Sequence, residues 1–143
     1  AEVYFLRAEA ALAGITGEDE NEMFRMGIES SLQQYGIAQA EIDAFMAQPV
    51  ATLGGTEEEQ LEQIIEQKYV AIFFQGYEAW AEFRRTGYPE IWVGSEQGIT
   101  GGQIPRRLTY PNDEYTKNEA NITAAAARIG GDDLMTRVWW DAQ

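Results

Sequence analysis

Glu78 and Glu82 stand four residues apart, one helical turn, in the densest stretch of the chain, Gln67 to Pro89. Two carboxyl groups about 5–10 Å apart across a sugar, one with a raised pKa, would make a glycosidase pair. The same spacing suits carboxylates that are solvated or ion-paired on a helix surface, and that is their expected role. The chain has no His and no Cys. That removes imidazole bases, thiol nucleophiles, disulfides and the usual zinc ligands. Glu18-Asp19-Glu20 and Asp132-Asp133 offer oxygen ligands without the spacing of a calcium loop. Gly98 to Gly102 is Gly-rich but no Lys follows it, and no nucleophile elbow or dinucleotide fingerprint occurs. The expectation is no enzymatic activity, no metal and no cofactor. Arg84 and Arg85 suit internal carbonyls and a carboxylate, Glu82 or Asp141, better than an anionic ligand.

Aromatic residues point to a different chemistry. The C–H face of a sugar stacks on a ring while amides pair with its hydroxyls. Trp80, Trp139 and Trp140 read as core. Trp92 differs, because it lies in the segment Glu90 to Gln103 with Ser95, Gln97 and Gln103 nearby. Trp92, Gln97 and Gln103 are therefore the candidate ligand-binding residues, on a loop of the kind where binding groups collect. The competing role for Trp92 is an inward-facing plug on the helices.

Charge narrows the partners. The chain carries 24 acidic and 10 basic residues, a net charge of −14. Residues 1–70 hold 14 acids against 3 bases, and residues 71–143 hold 10 against 7. Nucleic-acid binding needs Lys and Arg to displace counterions, so it is excluded, as is an anionic membrane surface. No apolar run approaches the ~20 residues of a membrane helix. A hydrophobic content of 45% over 143 residues fits one folded domain.

The elements that must position these residues read as helices. Val3, Leu6 and Ala10, with Phe5, Ala8 and Leu12, give residues 2–13 a helical period that Gly14 ends. A second helix runs from about Glu22 to Tyr35, stopped by Gly36, and the two form a hairpin. A third spans Gln39 to Gln48, halted by Pro49. Thr56 with Glu59 is a capping box. The apolar period after it carries one long helix through Leu61 to Phe83, with Gly76 as a point of kink or close contact. Along it Ala71, Ile72, Ala79 and Phe83 mark one face, extended by Phe73, Tyr77 and Trp80, so the helix is expected to be buried. Gly87 and Pro89 end it. Residues 90–105 form a loop, with a short strand conceivable at Ile91-Trp92-Val93. A turn follows Pro111, and a helix over residues 119–129 has Asn118 as cap and Gly130-Gly131 as stop. Residues 132–143 are open between helix and irregular chain. The fold class is all-α with long loops.

Three motifs in order carry a family resemblance. Glu78-Ala79-Trp80-Ala81-Glu82-Phe83-Arg84-Arg85-Thr86-Gly87-Tyr88-Pro89 resembles the signature of the SusD/RagB family. Arg106-Arg107-Leu108-Thr109-Tyr110-Pro111 with Glu114, Asn118 and Asn121 resembles its next motif, and Thr136-Arg137-Val138-Trp139-Trp140-Asp141 its last. Glu2 to Ala10 is similar to a family helix. The resemblance implies a tetratricopeptide-like helical array, although no 34-residue repeat stands out here. It implies the C-terminal portion of a longer protein, with a signal peptide and a lipidated Cys upstream, at the cell surface on the outer membrane. It further implies non-catalytic capture of an oligosaccharide, or in some members a peptide, handed to a SusC-like TonB-dependent transporter. The second reading is a helical protein–protein interaction scaffold with no small-molecule ligand.

Overall fold

A computed structural model describes residues 1–91, 94 and 96–141. Among the described residues there is no strand, and no helix is long and apolar enough to cross a membrane. The chain divides into two compact units, Ala1–Ile91 and Trp92–Gln143.

The first unit contains α1 (Glu2–Leu12), α2 (Glu20–Gln34), α3 (Gln39–Met46), a 3₁₀ turn (Pro49–Ala51), α4 (Glu57–Ala71) and α5 (Gly76–Thr86). Three pairings show that α1 and α2 run antiparallel. The Ala1 nitrogen donates to Ser30 Oγ at 3.1 Å, the Phe5 and Phe24 rings meet edge-on at 6.1 Å, and Arg7 pairs with Glu18. Gly14, at φ +68°, lets the chain leave α1, and the Asp19 carboxylate caps α2 by accepting from Glu22 N at 2.7 Å. Phe5, Ala8, Met23, Phe24, Ile28, Ala51, Ile64 and Ala71 form the core, so α4 closes the hairpin from a third side. Arg25 reaches from α2 to the carbonyls of Met46 and Ala51, at 3.1 and 2.8 Å, satisfying groups that the end of α3 and the 3₁₀ turn leave open.

Gly27 decides how closely the hairpin packs. A Cβ there would lie 2.8–2.9 Å from three atoms of the buried Phe5 ring. Gly27→Ala gains roughly 1 kcal/mol of helix propensity but must displace a ring held on all sides, an overpacking cost of about 1–3 kcal/mol. The expected result is a lower urea midpoint than wild type. A raised midpoint would mean that the hairpin opens freely.

The capping box is present: Glu59 N donates to Thr56 Oγ1 at 3.3 Å and Thr56 N to Glu59 Oε2 at 2.6 Å. The single helix from Leu61 to Phe83 is not. α4 ends at Ala71, Gln75 N bonds back to Ile72 O at 2.7 Å, and α5 starts at Gly76. An ion pair spans the break. In a continuous helix Lys68 and Glu82 would be about 21 Å apart at ~1.5 Å per residue. Here Lys68 Nζ lies 3.3 Å from Glu82 Oε1 and 3.5 Å from Glu78 Oε1. The break folds α5 back on α4, and the helical phase resets. Ile72 and Phe83 still turn inward, but Phe73 (74% exposed), Phe74 (82%) and Tyr77 (97%) turn outward, and Trp80 keeps 37% of its surface accessible, against the expected burial.

The second unit holds α6 (Asn112–Lys117), where a turn was expected, and α7 (Glu119–Arg128), followed by Gly130 and Gly131 at positive φ. Asn118 stands at the start of α7 without capping it; its amide instead donates to Glu114 Oε2 at 3.0 Å. Asp132 is the anchor. It pairs with Arg107 at 2.9 Å, accepts from Tyr110 N at 3.1 Å, and takes the Tyr115 hydroxyl at 2.6 Å. Those contacts favour its charged form and hold its pKa below the usual carboxylate range, the Tyr115 hydrogen bond foremost. Arg107 also stacks over the Tyr110 ring at 4.7 Å. Residues 132–141 are irregular, and Trp139 and Trp140 are exposed rather than core.

Candidate functional site

Most of the candidate segment, from residue 92 onward, belongs to the second unit, while Glu90 and Ile91 belong to the first. Trp92, Val93 and Ser95 fall outside the described residues, and with them the ring platform and the conceivable strand. Gln97 and Gln103 are both exposed. Two backbone bonds shape the segment between them, Gly101 N to Gly98 O at 2.9 Å and Gln103 N to Thr100 O at 3.2 Å. Gly101 and Gly102 take φ of +60° and +81°, which glycine adopts without strain. A Cβ on Gly102 would lie 3.4 Å from Gly94 O, so the loop closes on its own backbone. Gln97 and Gln103 thus share one compact turn, each bringing an amide with two donors and an acceptor, the groups that pair with sugar hydroxyls.

The acid pair proves to be a fastening in the first unit. Lys68 is 1% exposed, and its ammonium faces both Glu78 and Glu82. Arg85 holds Glu82 from the other side at 2.7 Å and grips Glu9 of α1 through two bonds of 2.5 and 2.9 Å. Burial pushes the Glu82 carboxyl up, but the Arg85 hydrogen bond and the charges of Arg85 and Lys68 outweigh it, leaving the pKa lowered. A group held ionised in this way is unsuited to donate a proton to a leaving oxygen. Of the two carboxylates expected to meet the Arg pair, Glu82 does so through Arg85, while Asp141 pairs with Arg137 at 2.9 Å in the other unit.

The end of the signature, Thr86 to Pro89, is architectural too. Thr86 Oγ1 donates to Glu82 O at 2.8 Å and accepts from Tyr88 N at 3.1 Å. Gly87 sits at φ +84°, and the Tyr88–Pro89 bond is cis. The Tyr88 hydroxyl donates to Glu58 Oε1 at 2.7 Å, which pushes its pKa up to about 12. The end of α5 is thereby tied to the start of α4. Sequence reasoning missed Lys68, because a Lys inside an apolar period ordinarily extends to solvent. The i, i+4 acid pair on α5 was the available signal that a buried cation faces it.

An apolar groove of about 270 Å³ lies between α4 and α5, lined by Tyr69, Phe73, Gly76, Ala79, Trp80 and Phe83. Trp80 packs against Phe83 with ring centroids 5.9 Å apart, so it forms a wall of this groove.

Comparison with known proteins places this geometry. Residues 1–111 match a SusD-like family described as starch-binding associating with outer membrane. No curated protein matches the chain. Among solved structures, a Bacteroidetes SusD-like protein is 34% identical with a TM-score of 0.84, over 99% of this chain and 29% of its own. A chitin-binding protein is 40% identical with a TM-score of 0.80, over 98% of this chain and 32% of its own. A chitin-binding SusD homologue from Flavobacterium johnsoniae is 32% identical with a TM-score of 0.81, over 99% of this chain and 36% of its own. The chain therefore spans about a third of the length of the structures it matches. Through these matches and its all-helical, tetratricopeptide-like array, the chain belongs to the SusD-like family.

Proposed function

We propose that the chain is the C-terminal portion of a non-catalytic glycan-binding protein, lipid-anchored at the cell surface on the outer membrane, that passes oligosaccharides to a TonB-dependent transporter. The observation that carries this reading is the 40% identity, over 98% of the chain, to a chitin-binding protein. The family description, starch-binding associating with outer membrane, supports both the ligand class and the location. The ionised, cation-paired state of Glu82 agrees with binding without hydrolysis. Chitin and starch oligosaccharides are the first ligands to test, on a glycan and peptide array with the intact protein. Retention of glycans is the expected result. Retention of peptides alone would assign a different ligand class, and an empty array would favour a pure interaction scaffold.

Any contact from this chain is proposed to run through Trp92 as stacking platform with Gln97 and Gln103 as orienting amides. Trp92→Ala in the intact protein should weaken binding of the retained glycan by about tenfold, roughly 1.4 kcal/mol, with melting nearly unchanged. Lowered melting with unchanged affinity would put the ligand elsewhere.

A further inference from the structure

The turn that carries Gln97 and Gln103 also carries a charge. From residue 92 to residue 105 the one acidic or basic side chain is Glu96. It directly precedes Gln97 and is exposed, as Gln97 and Gln103 are. Glu96 and Gln103 stand at opposite ends of the turn, yet the backbone closes between them. A Cβ on Gly102 would lie 3.6 Å from Glu96 N, so the peptide leading into Gln103 rests against the backbone of Glu96. Gly102 makes that approach at φ +81°, where it has no side chain to strain. The next cations along the chain pair with other acids, Arg106 with Asp141 at 3.9 Å and Arg107 with Asp132 at 2.9 Å. The chain as a whole carries −14. A ligand reaching this turn therefore meets two amides, one carboxylate and a negative potential.

We propose that this turn selects among sugars by charge: through Glu96 it takes an amino sugar with a free ammonium group, as in partly deacetylated chitin, and it turns away uronate and sulfated sugars. This rests on the reading of the protein as glycan-binding with Gln97 and Gln103 among its contacts. An amide pairs with the hydroxyls of any sugar, so the two Gln side chains leave the ligand class open. A carboxylate discriminates by sign. It accepts a charge-assisted hydrogen bond from an ammonium group and repels a carboxylate or sulfate brought to the same place. Neutral sugars fall between the two. Glu96 is exposed, so the effect is modest, about threefold in affinity, and is screened by salt.

Calorimetric titration of the intact protein with chitohexaose, its fully deacetylated counterpart and hexagalacturonate tests this, in slightly acidic buffer where the sugar amines are protonated. Glu96→Gln should weaken the deacetylated sugar about threefold more than it weakens chitohexaose, and that difference should shrink as salt is raised. Hexagalacturonate should be the weakest ligand of wild type and should gain from Glu96→Gln. Glu41→Gln removes the same charge from an exposed position on α3 and should leave the ranking of the sugars as it is. Equal effects of the two substitutions would reduce the preference to net charge and overturn the proposal. Saturable chitohexaose binding whose charge preference ignores Glu96 would overturn it too, while the glycan reading stands. No saturable heat with any of these sugars also overturns it, and maltohexaose run alongside shows whether the glycan reading falls with it.

Discussion

Glu82→Ala is expected to destabilise the protein by about 3 kcal/mol, because removing one partner of a buried ion pair leaves the other uncompensated. Lys68, at 1% exposure, would keep Glu78 as its one ion-pair partner among the described residues, at 3.5 Å and itself partly solvated. Arg85 would lose its link between α5 and α1 on the Glu82 side. The effect depends on pH with a definite sign. The folded-state pKa of Glu82 is lowered from the ~4.3 of an unfolded Glu, so ionisation favours the folded state. Its contribution is present above about pH 4.3 and is lost as pH falls through the folded-state value. Urea unfolding of wild type and Glu82→Gln should therefore show the largest gap at pH 7 and a shrinking one below pH ~4. A gap independent of pH would mean that the carboxylate charge contributes nothing to holding α5 on α4.

Phe24→Ala is expected to cost about 3–5 kcal/mol, the range for deleting a fully buried aromatic ring. Phe24 is inaccessible, meets the Phe5 ring edge-on and belongs to the core cluster that also holds Ile64 and Ala71 of α4. At ~2–4 °C per kcal/mol for a chain of this size, the melting temperature should fall by roughly 10 °C. A fall of only a degree or two would show that the α1–α2 hairpin is not the centre of the fold.

These two residues differ in how readily the sequence reveals them. Phe24 follows from the helical period of α2, and the hairpin from two such periods separated by Gly14 and a short acidic link, although the Asp19 cap within that link is not read from the sequence. Thr56 and Glu59 specify their own geometry, since both partners of the capping box lie within one turn. Such signals are local, so they survive without knowledge of the fold. The break after Ala71 is not local. Gly76, the expected point of kink or close contact, does open α5, with no close contact at its Cβ position; but the run Val70-Ala71-Ile72-Phe73-Phe74 before it contains no Pro or Gly, and its apolar period is as good for a continuous helix as for two short ones. The pairing of Lys68 with Glu78 and Glu82 and the burial of Ile72 and Phe83 accompany the two-helix arrangement, and the ion pair exists only once α5 has folded back. The outward turn of Phe73, Phe74 and Tyr77 follows from the same reset of phase. Of the candidate loop, the Gly-rich turn that carries Gln97 and Gln103 is legible in composition. Trp92 rests on residue chemistry alone.

The most direct measurement of the central claim is calorimetric titration of the intact protein with soluble chitin oligosaccharide, followed by chromatography of the recovered sugar. A binding protein without catalysis predicts heat that saturates and returns to the dilution baseline, with the sugar recovered at its starting length. Continuing heat with shortened sugars, or no saturable heat with either chitin or starch oligosaccharides, would contradict it.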